Sequence, residues 1–203
     1  MEAKPGGNLD KFGSVTNPEE ATAAMKEVIK ESAPYEYDNI KDMRPVEGDP
    51  YAWLKGAFPP TVRQACGRTT SGGLVIPVGD SAILFDPIGG QGGNCAQRNS
   101  KFIANAVIDH GDEEFDEAWA NQVREDFWNY HGEAAYTFNN ILLEPLTEAG
   151  RAVLGFASQN REFADQHFIG NFNKPRNFFP WMDDAAAAEE KIRDFQEQQA
   201  ASG

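Results

Sequence analysis

The segment from Gly79 to Asn94 constrains what this chain of 203 residues can fold into more than any other. It begins with Gly-Asp, continues through an apolar stretch to Asp-Pro, and ends in a glycine-rich run that leads into a helix. Four of the six residues from Gly89 to Asn94 are glycine, which is entropically costly and packs no side chains. Such a run indicates a close approach of bare backbone to another group; the alternative is a flexible surface loop.

Each half of the segment has its own chemistry. The apolar run from Leu74 to Val78 predicts a short buried strand before Asp80. A carboxylate at the end of a strand accepts hydrogen bonds from ligand hydroxyls, although most Gly-Asp pairs are plain turns. Backbone amides at the start of the following helix favour an electron-rich group, such as the edge of a reduced flavin.

Composition excludes several classes of partner. Acidic residues outnumber basic ones by 32 to 18, and the net charge of −14 argues against nucleic acid or an anionic membrane surface. The two cysteines, Cys66 and Cys95, form no disulfide framework and lie in no metal-binding spacing. We therefore expect no metal site and a reducing, cytoplasmic setting. No apolar stretch approaches the roughly 20 residues of a membrane span.

Helical patterns dominate the rest of the chain. Asn17, Pro18 and Glu20 form an N-terminal cap signature, and the helix that follows is expected to end near Ser32. Gly111 is expected to end the helix that follows the glycine-rich run. Apolar residues at helical spacing predict further helices over 95–110, 114–130, 133–143, 147–160 and 161–169.

The residues from Val78-Gly79-Asp80 to Asp86-Pro87-Ile88-Gly89-Gly90-Gln91-Gly92-Gly93-Asn94 resemble a known motif. It is the second FAD-binding motif of the flavoprotein aromatic hydroxylases, and the match to the styrene/indole monooxygenase family is closer. Softer matches to that family follow in the same order at 5–10, 58–63, 67–72 and 176–181.

The resemblance implies a set of cofactor-binding residues. Asp80 corresponds to the family's contact with the ribityl and pyrophosphate region of FAD, and the glycine-rich loop lies against the isoalloxazine ring. The implied FAD-binding residues are Gly79, Asp80, Asp86, Pro87, Gly90, Gln91, Gly92, Gly93 and Asn94. No catalytic side chain is implied, since flavin oxygenation needs no protein nucleophile or metal.

The resemblance also implies a fold. It is an α+β or α/β arrangement, the C-terminal part of an FAD/NAD(P)-binding monooxygenase, with few strands followed by a helical domain. The expected parts are a portion of the substrate-binding domain (1–65), a C-terminal piece of the FAD-binding domain (66–110), a helical domain (111–182) and an acidic Ala/Gln-rich tail (183–203).

The implied function is that of a component of an FAD-dependent monooxygenase, which inserts one oxygen atom from O2 into an aromatic or alkene substrate through a C4a-hydroperoxyflavin. The sequence has no GxGxxG motif for the ADP part of FAD. We therefore expect a second chain with that motif, and a flavin reductase that supplies reduced FAD. The chain would then be a natural split subunit or a truncated form. The alternatives are a non-catalytic interaction subunit and a flavin-dependent halogenase or oxidase.

Other residues have simpler interpretations. His131 is predicted to end a helix, where the dipole favours a histidine. Cys95 is interpreted as a small buried spacer rather than an activated thiolate. The aromatic segment 172–181 is expected to pack on helices rather than line a substrate pocket. Arg63 and Arg68 fit either a cofactor or partner contact or an internal ion pair.

Overall fold

A computed structural model describes residues 1, 3–49 and 51–202, and it divides the chain into two compact units. They are Met1–Phe58 and Pro59–Gly203. None of the helices in the described residues is both long and apolar enough to cross a membrane. The four expected domains remain a prediction, because compactness does not assign a function to a segment.

The first unit is organised around one amphipathic helix, α1 (Pro18–Ser32). The Asn17 side chain accepts a hydrogen bond from the Glu20 amide at 2.8 Å, which confirms the predicted N-cap. A small core lies against α1 and consists of Val15, Ala21 and Ala24 with Phe12 and Trp53 packed around it. A 3-10 turn (Pro34–Glu36) and the short helix α2 (Tyr37–Ile40) follow.

The second unit begins with two small antiparallel ladders. Strand β1 (Thr61–Val62) pairs with β4 (Ile83–Leu84), and β2 (Gly67–Arg68) pairs with β3 (Leu74–Val75). The prediction of a buried strand over 74–78 is wrong: the strand is two residues long, and Val75 is 49% exposed. Among the described residues β2 and β3 pair only with each other, so no further strand extends this sheet.

Helices form most of the second unit. The glycine-rich run leads into α3, whose C-cap is Gly111 with a positive φ of 64°, as predicted. The side chains of Asp116 and Thr147 cap the helices that follow them. These helices are α3 (Gln91–His110), α4 (Glu117–Phe127), α5 (Glu133–Ile141), α6 (Glu148–Gln159), α7 (Arg161–Phe163) and α8 (Ala185–Ser202).

A π-helical turn, Trp128–Gly132, joins α4 to α5 without a break. The predicted helix end at His131 is therefore wrong. Gly132 explains the continuity, since a Cβ there would lie 3.0 Å from the Trp128 ring and 3.3 Å from the Ile83 side chain. A residue without a side chain lets the π-turn pack directly on β4.

The chain between α7 and α8 consists of short turns. A second π-turn covers Ala164–Phe168, and 3-10 turns cover Ile169–Asn171 and Pro175–Phe178. The last of these turns places Phe178 in a core between α5, α6 and α8. The buried members of this core are Phe138, Ala149, Val153, Phe178, Trp181, Met182 and Ala188.

The aromatic segment 172–181 thus packs on helices, as the sequence suggested. Phe178 is fully buried and stacks on Phe138 with the ring centroids 4.5 Å apart. Trp181 is also buried, whereas Phe172 is 48% exposed. The expected α+β or α/β monooxygenase fold remains a prediction, since short hairpins and helices of this kind do not define it.

Replacement of Phe178 by alanine is expected to lower the free energy of unfolding by about 3–5 kcal/mol, because it leaves a cavity in this core. Chemical denaturation followed by circular dichroism measures the loss. Phe172→Ala is the matched control, a half-exposed ring in the same segment, and should cost clearly less. Equal losses in the two variants would contradict the assigned core.

Candidate functional site

The turn that leads into α3 is built by local hydrogen bonds and one left-handed glycine. The Asp86 carboxylate accepts from the Ile88 amide at 2.9 Å and caps the 3-10 turn Pro87–Gly89. Gly90 follows with φ 61° and ψ 18°, a conformation that glycine adopts without strain. The chain then enters α3 at Gln91, four residues before the predicted start at Cys95.

Consequently, the second half of the glycine-rich run is the first turn of a helix. Among the described residues, no side chain caps the N-terminus of α3. A Cβ added to Gly90 or Gly93 would meet no described atom within 4 Å, so there is open space on the Cβ side of the chain at these two residues. Amides at an uncapped helix start carry partial positive charge and favour an electron-rich partner.

The turn Gly79–Ser81 lies against the side of this helix. Gly79 has a positive φ of 62°, and its amide donates to the Asn99 side chain at 3.1 Å. A Cβ on Gly79 would lie 3.3 Å from the Cβ of Ala96. The positive φ therefore favours glycine there, and a larger residue would also be in tight contact with α3.

Asp80 follows directly and brings its carboxylate to the first turn of α3. The side chain is exposed, and its Oδ1 lies 3.9 Å from where a Cβ of Gly92 would be. No ion pair engages this carboxylate within the described parts of the chain. Its backbone oxygen accepts a hydrogen bond from Arg63 Nη1 at 2.8 Å, so Arg63 holds the turn through its main chain.

Asn139 on α5 holds the other side of the loop, and sequence reasoning missed it. Its Oδ1 accepts from the Gly89 amide at 3.1 Å, and its Nδ2 donates to the Asp86 carbonyl at 3.0 Å. The side chain is fully buried. An asparagine fifty residues away along the chain carries no local signal that could have revealed this contact.

Gln91 faces the protein interior rather than open space. It is fully buried, and its Nε2 donates to the carbonyls of Gly89 and Phe172 at 3.1 and 3.2 Å. Asn94 and Pro87 are exposed, and Asn94 Nδ2 donates to the Gly90 carbonyl at 3.4 Å. The predicted cofactor residues thus divide into an open group around Asp80 and the start of α3, and an inner group that fixes the loop.

Two other side chains near the site are buried. Burial raises the pKa of the Cys95 thiol to about 12, so it is protonated at neutral pH and acts as a spacer, as predicted. Burial, with a smaller effect of the Arg98 and Arg176 charges, lowers the pKa of His131 to about 4. Its Nε2 has no partner among the described residues.

The remaining candidates are structural. Arg68 Nε lies 2.6 Å from a Glu117 carboxylate oxygen, an ion pair between β2 and α4. In the part of the chain that the structure describes, no group of histidine, cysteine and acidic side chains is arranged to hold a metal ion. The geometry therefore defines a site made of backbone amides, an uncapped helix start and one carboxylate.

Comparison with known proteins adds one similarity. The chain is 29% identical over 127 residues to styrene monooxygenase StyA from Pseudomonas fluorescens. The match covers 60% of this chain but only 29% of that enzyme, so the chain spans less than a third of its relative's length. No model of a protein family matches. At a coarse level, the similarity supports a relationship with flavoprotein monooxygenases.

Acidification is expected to destabilise the chain through His131. The unfolded chain protonates this histidine near pH 6.5, whereas the folded chain does so near pH 4. Because the unfolded state binds the extra proton, stability falls as the pH drops from about 6.5 to about 4. Denaturation at several pH values should give a shallower fall in this window for His131→Gln than for the unaltered chain. Parallel curves would contradict a buried, neutral His131.

Proposed function

We propose that this chain is the flavin-binding component of an FAD-dependent monooxygenase that adds one oxygen atom of O2 to a small aromatic or alkene substrate. One observation carries the proposal: the open amides at the start of α3 adjoin the free Asp80 carboxylate. This is the segment that resembles the second FAD-binding motif, and the similarity to a styrene monooxygenase points to the same chemistry.

The described residues fit a flavin. A Cβ at Gly90 or Gly93 would occupy the space beside the backbone, and its absence leaves room for a flat ring to approach the main chain. The positive end of α3 stabilises the negative charge that a reduced flavin carries. The Asp80 carboxylate is placed to accept hydrogen bonds from ribityl hydroxyls.

When bound, FAD supplies the activation of O2 and the transfer of one oxygen atom. The residues of this chain bind and orient it. Gly92 and Gly93 present backbone amides, Gly90 leaves space beside the chain, Asp80 anchors the sugar-like chain, and the inner group of Gln91 and Asn139 keeps the loop in place. None of these roles needs a protein nucleophile.

The remainder of the cofactor site is proposed to come from a dinucleotide-binding part with a GxGxxG motif. This chain contains no such motif and matches 29% of its relative's length. The missing part is proposed to be a second chain or a further segment of a longer polypeptide. A separate reductase is the proposed source of reduced FAD.

Replacement of Asp80 by alanine is expected to weaken FAD binding at least about tenfold, because a hydrogen bond to a charged acceptor contributes about 1.5–3 kcal/mol. Quenching of flavin fluorescence during titration measures the dissociation constant. Asp109→Ala is the matched control, an exposed carboxylate at the far end of α3, and should bind FAD like the unaltered chain. Equal affinities for Asp80→Ala and its control would overturn the assignment of Asp80.

Oxygen transfer is tested on the protein as isolated, together with any chain that co-purifies with it. It is mixed with reduced FAD, styrene and O2 enriched in the heavy isotope, and the product is analysed by mass spectrometry. One labelled oxygen atom in each product molecule is expected. A protein that holds FAD yet gives no labelled product is not a styrene-type monooxygenase.

A further inference from the structure

The glycines of the loop have two different surroundings. Gly89 is buried, and a Cβ there would lie 2.3 Å from Asn139 Oδ1, which is far inside contact distance. Gly90 and Gly93 face open space instead. Gly89 is therefore required by packing against the protein, whereas Gly90 and Gly93 leave room for a ligand.

We propose that Asn139 is a positioning residue of the flavin site, which fixes the turn Asp86–Gly89 so that the amides after it point outward. The inference rests on the proposed function, because positioning has a purpose only if the open side of the loop holds a ligand. Asn139 itself touches no ligand in this proposal.

The side-chain amide of Asn139 forms hydrogen bonds with both ends of the turn Asp86–Gly89. Its oxygen accepts from the Gly89 amide, and its nitrogen donates to the Asp86 carbonyl. Within the turn, the Gly90 amide donates to the Pro87 carbonyl at 3.0 Å. Fixing residues 86 and 89 therefore fixes the direction in which the chain leaves at Gly90 and begins α3.

Because they are buried, these hydrogen bonds are costly to lose. Asn139 and Gln91 are fully buried, so a lost bond leaves a polar atom of the turn without water to replace it. Gln91 holds the same turn through the Gly89 carbonyl. Both polar groups of the Gly89 backbone are thus occupied on the protein side, and the ligand side is left to the residues that follow.

A purely structural asparagine would stabilise the fold without controlling the loop, and three variants separate the two roles. Asn139→Ala removes both hydrogen bonds. Asn140→Ala is the matched control, because the Asn140 Oδ1 on the same helix has no partner among the described residues. Val153→Ala opens a cavity in the core and lowers stability without touching the loop.

The first measurement needs no ligand. Amide hydrogen exchange of the loop residues 89–93 is followed in the FAD-free chain at a temperature where every variant is folded. Asn139→Ala should exchange at least tenfold faster in the loop than Asn140→Ala and Val153→Ala. Equal loop exchange in all three variants would overturn the proposal, whatever the chain binds.

The second measurement uses FAD as the probe. Asn139→Ala should bind FAD about tenfold more weakly than either control, a difference of about 1.4 kcal/mol. At saturating FAD, the visible circular dichroism of the bound flavin should also change in Asn139→Ala alone. If the unaltered protein, together with any chain that co-purifies with it, fails to bind FAD while the loop is protected as expected, the proposed function fails and the fixing of the loop stands.

A second pair of variants covers the case in which Asn139→Ala does not fold. Gly89→Ala forces a Cβ into Asn139 and should be strongly destabilised and weak in FAD binding. In the double variant Gly89→Ala/Asn139→Ala, the Asn139 side chain no longer clashes with the new Cβ. The free energy of unfolding should therefore recover relative to Gly89→Ala, while hydrogen-exchange protection of the loop and FAD affinity remain low. If stability, loop protection and FAD affinity all recovered in the double variant, a positioning role for Asn139 would be contradicted.

Discussion

The two hydrogen bonds of the Asn139 side chain are the interaction on which the site depends. They join α5 to the turn before α3, and this turn sets where the helix begins. The first turn of α3 then lies beside the Gly79–Ser81 turn, which packs so closely that a Cβ on Gly79 would lie 3.3 Å from the Cβ of Ala96. The buried side-chain amide of Asn139 therefore links α5 directly to the segment that resembles a cofactor motif.

Helix ends that depend on neighbouring residues could be predicted from the sequence, whereas contacts between residues far apart in the chain could not. The caps at Asn17 and Gly111 depend on neighbouring residues, so their patterns indicated the structure correctly. The role of Asn139 depends on a partner fifty residues away, and no spacing in the sequence encodes it. The π-turn ending at Gly132 was missed for the same reason, since its glycine is required by a side chain on β4.

The residues of the candidate site show the same difference between local and long-range contacts. The sequence motif contains both Asp80 and the glycine-rich run, and a turn followed by a helix brings them close together over a short stretch of chain. Gln91 was grouped with them by motif alone. Its burial and its bonds to Gly89 and Phe172 follow from the packing of a distant segment, which the motif does not reveal.

The negative charge of Asp80 beside the positive start of α3 limits the kinds of ligand that the site can hold. A bare phosphate would be attracted by the helix start but repelled by the Asp80 carboxylate beside it, within a chain whose net charge is already −14. A ligand that offers hydroxyls to the carboxylate and a separate electron-rich edge to the amides satisfies both groups at once. The ribityl chain and ring of a flavin have this combination. The proximity of Asp80 to the first turn of α3 thus suits the proposed flavin better than a simple anion.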